Sequence, residues 1–407
     1  MKASGGSQPR SEEGASHRAR RGKNAKAFLN GATAKQLICS RDRQMDKTSE
    51  VLIYLASCTV NQEEADPQMI VSVDLPELYA LADAHQMTAI TAFALEAAGV
   101  RDESFLRERS KAVSREVNFD RERARILKEF EEKQIWYMPL KGVILKRFYP
   151  QTGMRQMSDN DILFDAEKAK DVHEIMTSLG YKTEIYDEGH RDDYRKLPMF
   201  HFEMHRVLFD KKTLPVSLYR YYRDVRRLLI KDSGNSFGYH LSDEDLYLYM
   251  IAHEYKHFAW GGTGLRSLLD TYVFLKKHSK TLDWEYIMAE AEKLGMAGFE
   301  KRNRALALRV FHAGGMQKLS EKETELLDYF IESEAYGSMP HAIRNYSRQL
   351  GMFRYVMQRA FLPMEAVKKY YPFFYRHKLL LPLLPIYRVI RQRHTAILEI
   401  RLLFGRR

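Results

Sequence analysis

Between residues 135 and 208 the chain changes texture: helical spacing of apolar residues gives way to short apolar runs, some of them carrying acidic residues. Ile135–Leu140 (IWYMPL) has the length and composition of a strand, Lys141–Gly142 of a turn, and Val143–Phe148 resumes helical spacing. A second strand is expected at Asp159–Phe164, then a helix over Ala166–Leu179 stopped by Gly180, which suits a left-handed C-terminal cap. Tyr181–Tyr186 and Met199–Val207 complete the expected strands. Short strands separated by helices, inside a chain that is helical on both sides, imply an α+β protein with a small mixed sheet.

The flanks set the remaining organisation. Residues 1–44 are rich in Gly, Ser, Ala, Arg and Lys without apolar periodicity and are expected to be a disordered basic extension; Met45, just before the first helical pattern, is a candidate translation start. Residues 45–134 form an N-terminal helical region, 135–212 the α/β domain, and 213–407 a C-terminal helical domain. A length of 407 residues with 45% hydrophobic and 29% charged residues is that of an ordinary globular protein with a sizeable core. The net charge of +11 is concentrated at the two ends, so specific DNA binding is not expected. Two cysteines, Cys39 and Cys58, are too few for a disulfide framework and fit a reducing cytoplasm. No apolar run approaches the roughly 20 residues that span a bilayer. The longest, Leu379–Ile386, is broken by Pro382 and Pro385; a buried helix end is expected there, although its basic, amphipathic setting would also suit a membrane surface.

Two features of the strands carry chemistry. Asp159 and Asp161 stand two apart at the start of an apolar strand, so both carboxylates project to one face and can reach one ion. In MFHFEMHRVLF the alternation puts His201, Glu203 and His205 on one face and Phe200, Phe202 and Met204 on the other. If the two strands are neighbours, three carboxylates converge. Such a trio can hold two divalent ions roughly 3.5–4 Å apart, the arrangement that supports in-line phosphoryl displacement. Mg²⁺, or Mn²⁺, wants oxygen ligands and leaves room for phosphates. The Lys141–Gly142 turn has a matching use: glycine admits a close phosphate, the helix start offers amides, and Lys141 offers charge. Arg155 and Ser158, just before the acidic pair, are further candidate phosphate contacts, and His205 is a candidate metal or nucleotide contact.

A competing motif is HEYKH at 253–257, which matches H-E-x-x-H: on a helix His253 and His257 share a face and would hold zinc with Glu254 as base. The extended metalloprotease form is absent, since the positions three and six after the second His are Trp260 and Thr263. Packing of the two histidines against the α/β part is the expected role.

The segments LKGVILKRFYPQTGMRQMSDNDILF and FEMHRVLF resemble the uncharacterised nucleotidyltransferase family of the DNA polymerase beta superfamily, with its Leu-Lys-Gly turn, Arg-x-x-Ser-Asp-x-Asp stretch and acidic-x-His strand. The likeness runs from about Met45 to the C-terminus and includes the helix at His253–His257, Asp270 and FLPMEAVKKYYPFF. It implies that Asp159, Asp161 and Glu203 bind the metals. The superfamily's Gly-Ser or Gly-Gly is Gly142-Val143 here, so no serine hydroxyl stands at that point. The expectation is transfer of a nucleoside monophosphate from a nucleoside triphosphate, with Mg²⁺ or Mn²⁺, to an acceptor hydroxyl on a small molecule, sugar, protein or RNA end. A nucleotide sensor of the same fold without turnover is the alternative, with a zinc hydrolase at His253, Glu254 and His257 behind it.

Overall fold

The computed structural model describes residues 45–403 apart from Lys212, Leu214, Gln392, 394–396 and 398–400, with the side chain of Gln349 also left aside. The extension expected over residues 1–44 lies outside the described residues.

Among the described residues five helices come first: α1 (Lys47–Asn61), α2 (Pro67–Val71), α3 (Leu75–Ala84), α4 (Thr88–Ala97) and α5 (Glu103–Glu132). α5 begins where the Asp102 carboxylate caps the amides of Ser104 and Phe105, and it buries one narrow stripe, Phe105, Phe119, Ile126 and Phe130 among them, while its other faces are charged. The first four helices pack their apolar residues with later helices into one core that joins Leu52, Leu55 and Phe93 to Leu268, Leu306 and Phe330.

The sheet follows: β1 (Tyr137–Pro139), the single-turn α6 (Gly142–Leu145), β2 (Asn160–Phe164), α7 (Ala169–Ser178), β3 (Lys182–Ile185), β4 (Arg191–Lys196) and β5 (Phe200–His205). Their order is β1-β2-β5-β4-β3; only β2 and β5 are parallel, so the sheet is mixed. Gly180 ends the α7 segment at φ +84°, the left-handed cap its position required. One sheet face, with Ile162, Phe164, Tyr194, Phe202 and Met204, packs against Ile126 and Phe130 of α5 and Val172, Ile175 and Met176 of α7. Period-two alternation therefore turns Asp161, Glu203 and His205 to the opposite face.

β4 departs from the expectation. RDDYRK has no apolar alternation, yet it lies between β5 and β3 with Asp192 and Tyr194 fully buried. Its acidic residues are paired: Arg206 bonds both oxygens of Asp192, and Arg191 Nε donates to Asp193 at 2.9 Å. Paired charge replaces the apolar signal by which strands are ordinarily found.

After α8 (Val216–Tyr222) and the two-residue strands β6 (Ile230–Lys231) and β7 (Tyr239–His240), the chain is helical: α9 (Asp243–Trp260), α10 (Leu265–His278), α11 (Trp284–Lys293), α12 (Ala297–Val310), α13 (Glu321–Ser333), α14 (Met339–Leu350), α15 (Met352–Ala360), α16 (Met364–Tyr370), α17 (Pro372–Arg376) and α18 (Leu384–Arg391). Leu248 and Ile251 of α9 share a core with Leu163 of β2 and Met138 of β1, which places α9 over the carboxylate face of the sheet. The stretch Leu379–Ile386 is not the buried helix end expected: Leu379 is 95% exposed and only Leu384 is buried. No helix is long and apolar enough to cross a membrane among the described residues.

Candidate active site

Asp161 of β2 stands directly across from Glu203 of β5 in the parallel register, and His205 follows two residues on. Facing pairs in a ladder project to the same side, so the two carboxylates and the imidazole share one small volume. Asp161, Glu203 and His205 each bring a ligand atom within 4.8 Å of the others, and so do Asp159, His201 and Glu203. Glu203 belongs to both sets, so the trio of carboxylates forms two overlapping donor sets with an imidazole in each.

Asp161 Oδ1 accepts from Lys141 Nζ at 2.8 Å and lies 2.7 Å from His205 Nε2. Burial alone would raise the Asp161 pKa, but Lys141 and then His205 outweigh it and hold the carboxyl well below its usual range. Lys141 is shifted oppositely: burial disfavours its charge, but Asp161, Tyr249 and Glu203 keep it protonated beyond its ordinary range. The neighbouring Asp159 is pushed up by burial and by repulsion from Asp161 and Glu203, the signature of carboxylates that lack enough positive charge between them. Arg191, on the unforeseen strand β4, reaches Glu203 Oε2 at 3.0 Å with Nη1 while its Nε holds Asp193.

The opposing wall is α9. Tyr249, His253, Lys256 and His257 recur at helical spacing on one side of it. Burial first, and then the positive charges of Lys141 and Lys256, keep the His253 imidazole well below its ordinary pKa, and His257 is lowered to about 3 by burial and the same two lysines. Lys256 falls to about 8, through burial and repulsion by Lys141 against the pull of Asp161 and Glu203. The volume between sheet and helix is thus rimmed by Lys141, Arg191 and Lys256, with neutral imidazoles among them.

The HEYKH motif divides its residues between two surroundings. His253 and His257 face each other with Nε2 atoms 3.3 Å apart. Glu254 points into the helical core, where its Oε2 accepts from Asn303 at 2.9 Å and Thr271 at 3.2 Å, and burial raises its pKa to about 8. Among the described residues no group of three ligating side chains includes the histidine pair.

The remaining expected contacts fall as follows. The left-handed backbone angle at the turn belongs to Lys141 (φ +47°) rather than to Gly142. The amides of Val143, Ile144 and Leu145 are turned to the carbonyls of Leu140 and Lys141, so those three are not the free donors expected at a helix start. Gly142 has a different steric reason: a Cβ there would sit 2.5 Å from Arg155 Nη1. Arg155 in turn forks onto both oxygens of Asp270, Nε at 2.7 Å and Nη2 at 2.8 Å, and Tyr149 donates to the same carboxylate. Ser158 is half-buried immediately before Asp159. The loop between them is pinned from three helices: Gln156 Oε1 accepts from Thr88 and the amide of Ala89 in α4, Arg266 of α10 donates to the Gln156 carbonyl, and Arg115 of α5 to that of Met157.

Two buried imidazole nitrogens, His205 Nδ1 and His201 Nε2, have no hydrogen-bond partner. His205 turns its other nitrogen, Nε2, to Asp161 and Glu203; carboxylates clustered with an imidazole in each donor set fit a divalent cation, and the mixed oxygen and nitrogen donors suit Mn²⁺ as well as Mg²⁺. Arg191, Asp193 and Lys256 were not legible as site residues beforehand; only the helical spacing of Lys256 from His253 placed it on a shared face. The family model described as "Uncharacterised nucleotidyltransferase" matches residues 72–312, a span that holds every one of these side chains. No curated protein and no solved structure is matched by the chain.

Proposed function

The chain belongs to the uncharacterised nucleotidyltransferase family, and from that membership we propose that it transfers a nucleoside monophosphate from a nucleoside triphosphate to an acceptor hydroxyl. The observation that carries this reading is the register that sets Asp161 against Glu203, with Asp159 and two imidazoles completing two donor sets around Glu203. Asp159, Asp161 and Glu203, assisted by His201 and His205, would hold Mg²⁺ or Mn²⁺, which when bound supplies positive charge for an in-line phosphoryl displacement. Lys141, Arg191 and Lys256 bind the triphosphate and take up charge as it shifts toward the leaving group.

In the reaction the acceptor oxygen forms a bond to the α-phosphorus as the bond to the bridging oxygen of the β-phosphate breaks. Pyrophosphate leaves with that electron pair, and the hydroxyl proton passes to a carboxylate oxygen of Glu203. The pinned loop before Asp159 and the Arg155–Asp270 fork keep the first aspartate in position, while α9 covers the site and limits water. Arg155, Gly142 and Ser158 act here through that loop. The substrate class and the unpaired, buried thiol of Cys58 support a reducing, nucleotide-rich compartment such as the cytoplasm.

A nucleotide sensor is the second reading, favoured by one observation: Lys141 and Arg191 already pair with Asp161 and Glu203. Incubation with α-labelled ATP, GTP, CTP and UTP, divalent metal and cell extract separates the two, with Asp161→Ala as control. Label transfer lost in the variant supports the transferase; tight binding with no transfer in any extract sinks it.

A further inference from the structure

Beyond the family-matched span, the end of the chain departs from the rest of the molecule in two independent respects. More than half of the large apolar side chains exposed among the described residues lie between Met352 and Ile397. Over residues 351–403 the sequence also has ten Lys or Arg residues against two acidic ones, Glu365 and Glu399. The apolar exposure is organised. Leu384 and Arg388 of α18 face inward, Arg388 bonding the carbonyls of Arg359 and Ala360. Leu383, Ile386, Tyr387 and Ile390 recur at i, i+3, i+4 and i+7 on the outward side, and Ile397 continues the line two turns on. Leu379, 95% exposed, stands just before it, and Arg391 and Arg393 are exposed beside it.

We infer that this C-terminal helical segment docks on the surface of an anionic lipid bilayer, with the Leu383–Ile390 stripe entering the interface and the flanking arginines and lysines meeting lipid phosphates. Charge decides between occupants. A second copy would bring the same cationic surface against itself, and residues 1–44, with ten basic and three acidic residues, would also be repelled. A nucleic acid would satisfy the charge, but Leu383, Ile386 and Ile390 offer bases neither stacking faces nor hydrogen bonds, and the one aromatic of the stripe, Tyr387, already has its ring against Phe374 and Arg391 and its hydroxyl bonded by Arg391. A bilayer interface takes both, burying aliphatic groups below the headgroups and attracting Lys and Arg at their level. The inference is independent of the proposed reaction.

The test uses the full chain in co-sedimentation with vesicles of phosphatidylcholine alone and of phosphatidylcholine mixed with phosphatidylglycerol. Partitioning at least about tenfold stronger onto the anionic vesicles is expected, weakening with added salt. Ile386→Ser combined with Ile390→Ser, and separately Arg391→Glu with Arg393→Glu, should each reduce it by about tenfold or more with the thermal melt unchanged. Should the double serine variant melt early, Leu379→Ser at the most exposed position replaces it. The inference is overturned by equal or absent binding to the two vesicle types, or by vesicle binding indifferent to the serine substitutions. It is equally overturned if a single-stranded oligonucleotide binds in place of vesicles, or if light scattering shows a dimer that the serine variants dissolve while vesicles go unbound.

Discussion

Gly142 and Arg155 occupy one another's space: the guanidinium passes where a side chain on residue 142 would begin, and from there it reaches Asp270. Gly142→Ala should therefore displace the fork and destabilise the fold by about 1–3 kcal/mol. Urea denaturation of the variant beside Arg155→Lys, which cannot restore two parallel bonds, checks this. Wild-type stability in Gly142→Ala would show that the guanidinium has room to move aside.

The facing pair Asp161 and Glu203 is expected to govern turnover. Asp161→Asn and Glu203→Gln keep the side-chain shapes while removing charge, and each should lower label transfer at least about a hundredfold without unfolding the chain. Circular dichroism melts run in parallel separate lost chemistry from lost structure. Transfer persisting in Glu203→Gln would remove that residue from the mechanism.

Chelation by EDTA should abolish transfer, and Mn²⁺ should restore it at lower concentration than Mg²⁺, because an imidazole accompanies the carboxylates in both donor sets. His201→Ala should narrow the gap between the two ions. Titration followed by manganese electron paramagnetic resonance reads the affinity directly; an unchanged Mn²⁺ affinity in the variant counts against His201 as a ligand.

Lys256 is charged at a cost, its pKa lowered to about 8 by burial and by Lys141. Lys256→Met should raise the KM for the triphosphate by about tenfold while leaving the fold as stable as before or more so. Steady-state kinetics and a thermal melt on one preparation test both halves, and a variant with an unaltered KM would release Lys256 from phosphate binding.

Glu254 gives the pH dependence. Its folded pKa of about 8 lies above the ordinary value of 4.5, so between those values the native state retains a proton that the unfolded chain has lost. Stability from this group is full below about pH 4.5, declines as pH rises toward 8, and is flat above. Glu254→Gln, which can still accept from Asn303 and Thr271, should gain roughly 2–4 kcal/mol over wild type at about pH 9 and little at about pH 4.5. A constant difference across that range in urea titrations would exclude the assignment.

Much of the site was written in local pattern. Alternation in the Phe200–His205 strand was enough to put Glu203 and His205 on one polar face, because period two is a property of any strand; Asp159, expected to begin the second strand, lies one residue before β2 and falls in a donor set other than that of Asp161. What pattern could not supply was neighbourhood. Arg191 and Asp193 sit on a strand whose buried residues are two paired aspartates and one tyrosine, so no apolar run marks it. Gly142 was expected to admit a phosphate, but what it admits is Arg155, a contact between residues on separate elements. At the C-terminus the sequence suits both a buried helix end and a membrane surface, because an apolar run looks the same whether it will be covered or left bare.

The loop before Asp159 is fastened to α4, α5 and α10, and its hold on those helices has a consequence for where inactivating changes will be found. Thr88, Arg115 and Arg266 touch no carboxylate of the trio, yet each helps determine where the first of them stands. Selection acting on the chemistry therefore extends to helices on both flanks of the sheet, and a screen for lost function should return positions in α4 and α10 that no map of ligand contacts would nominate.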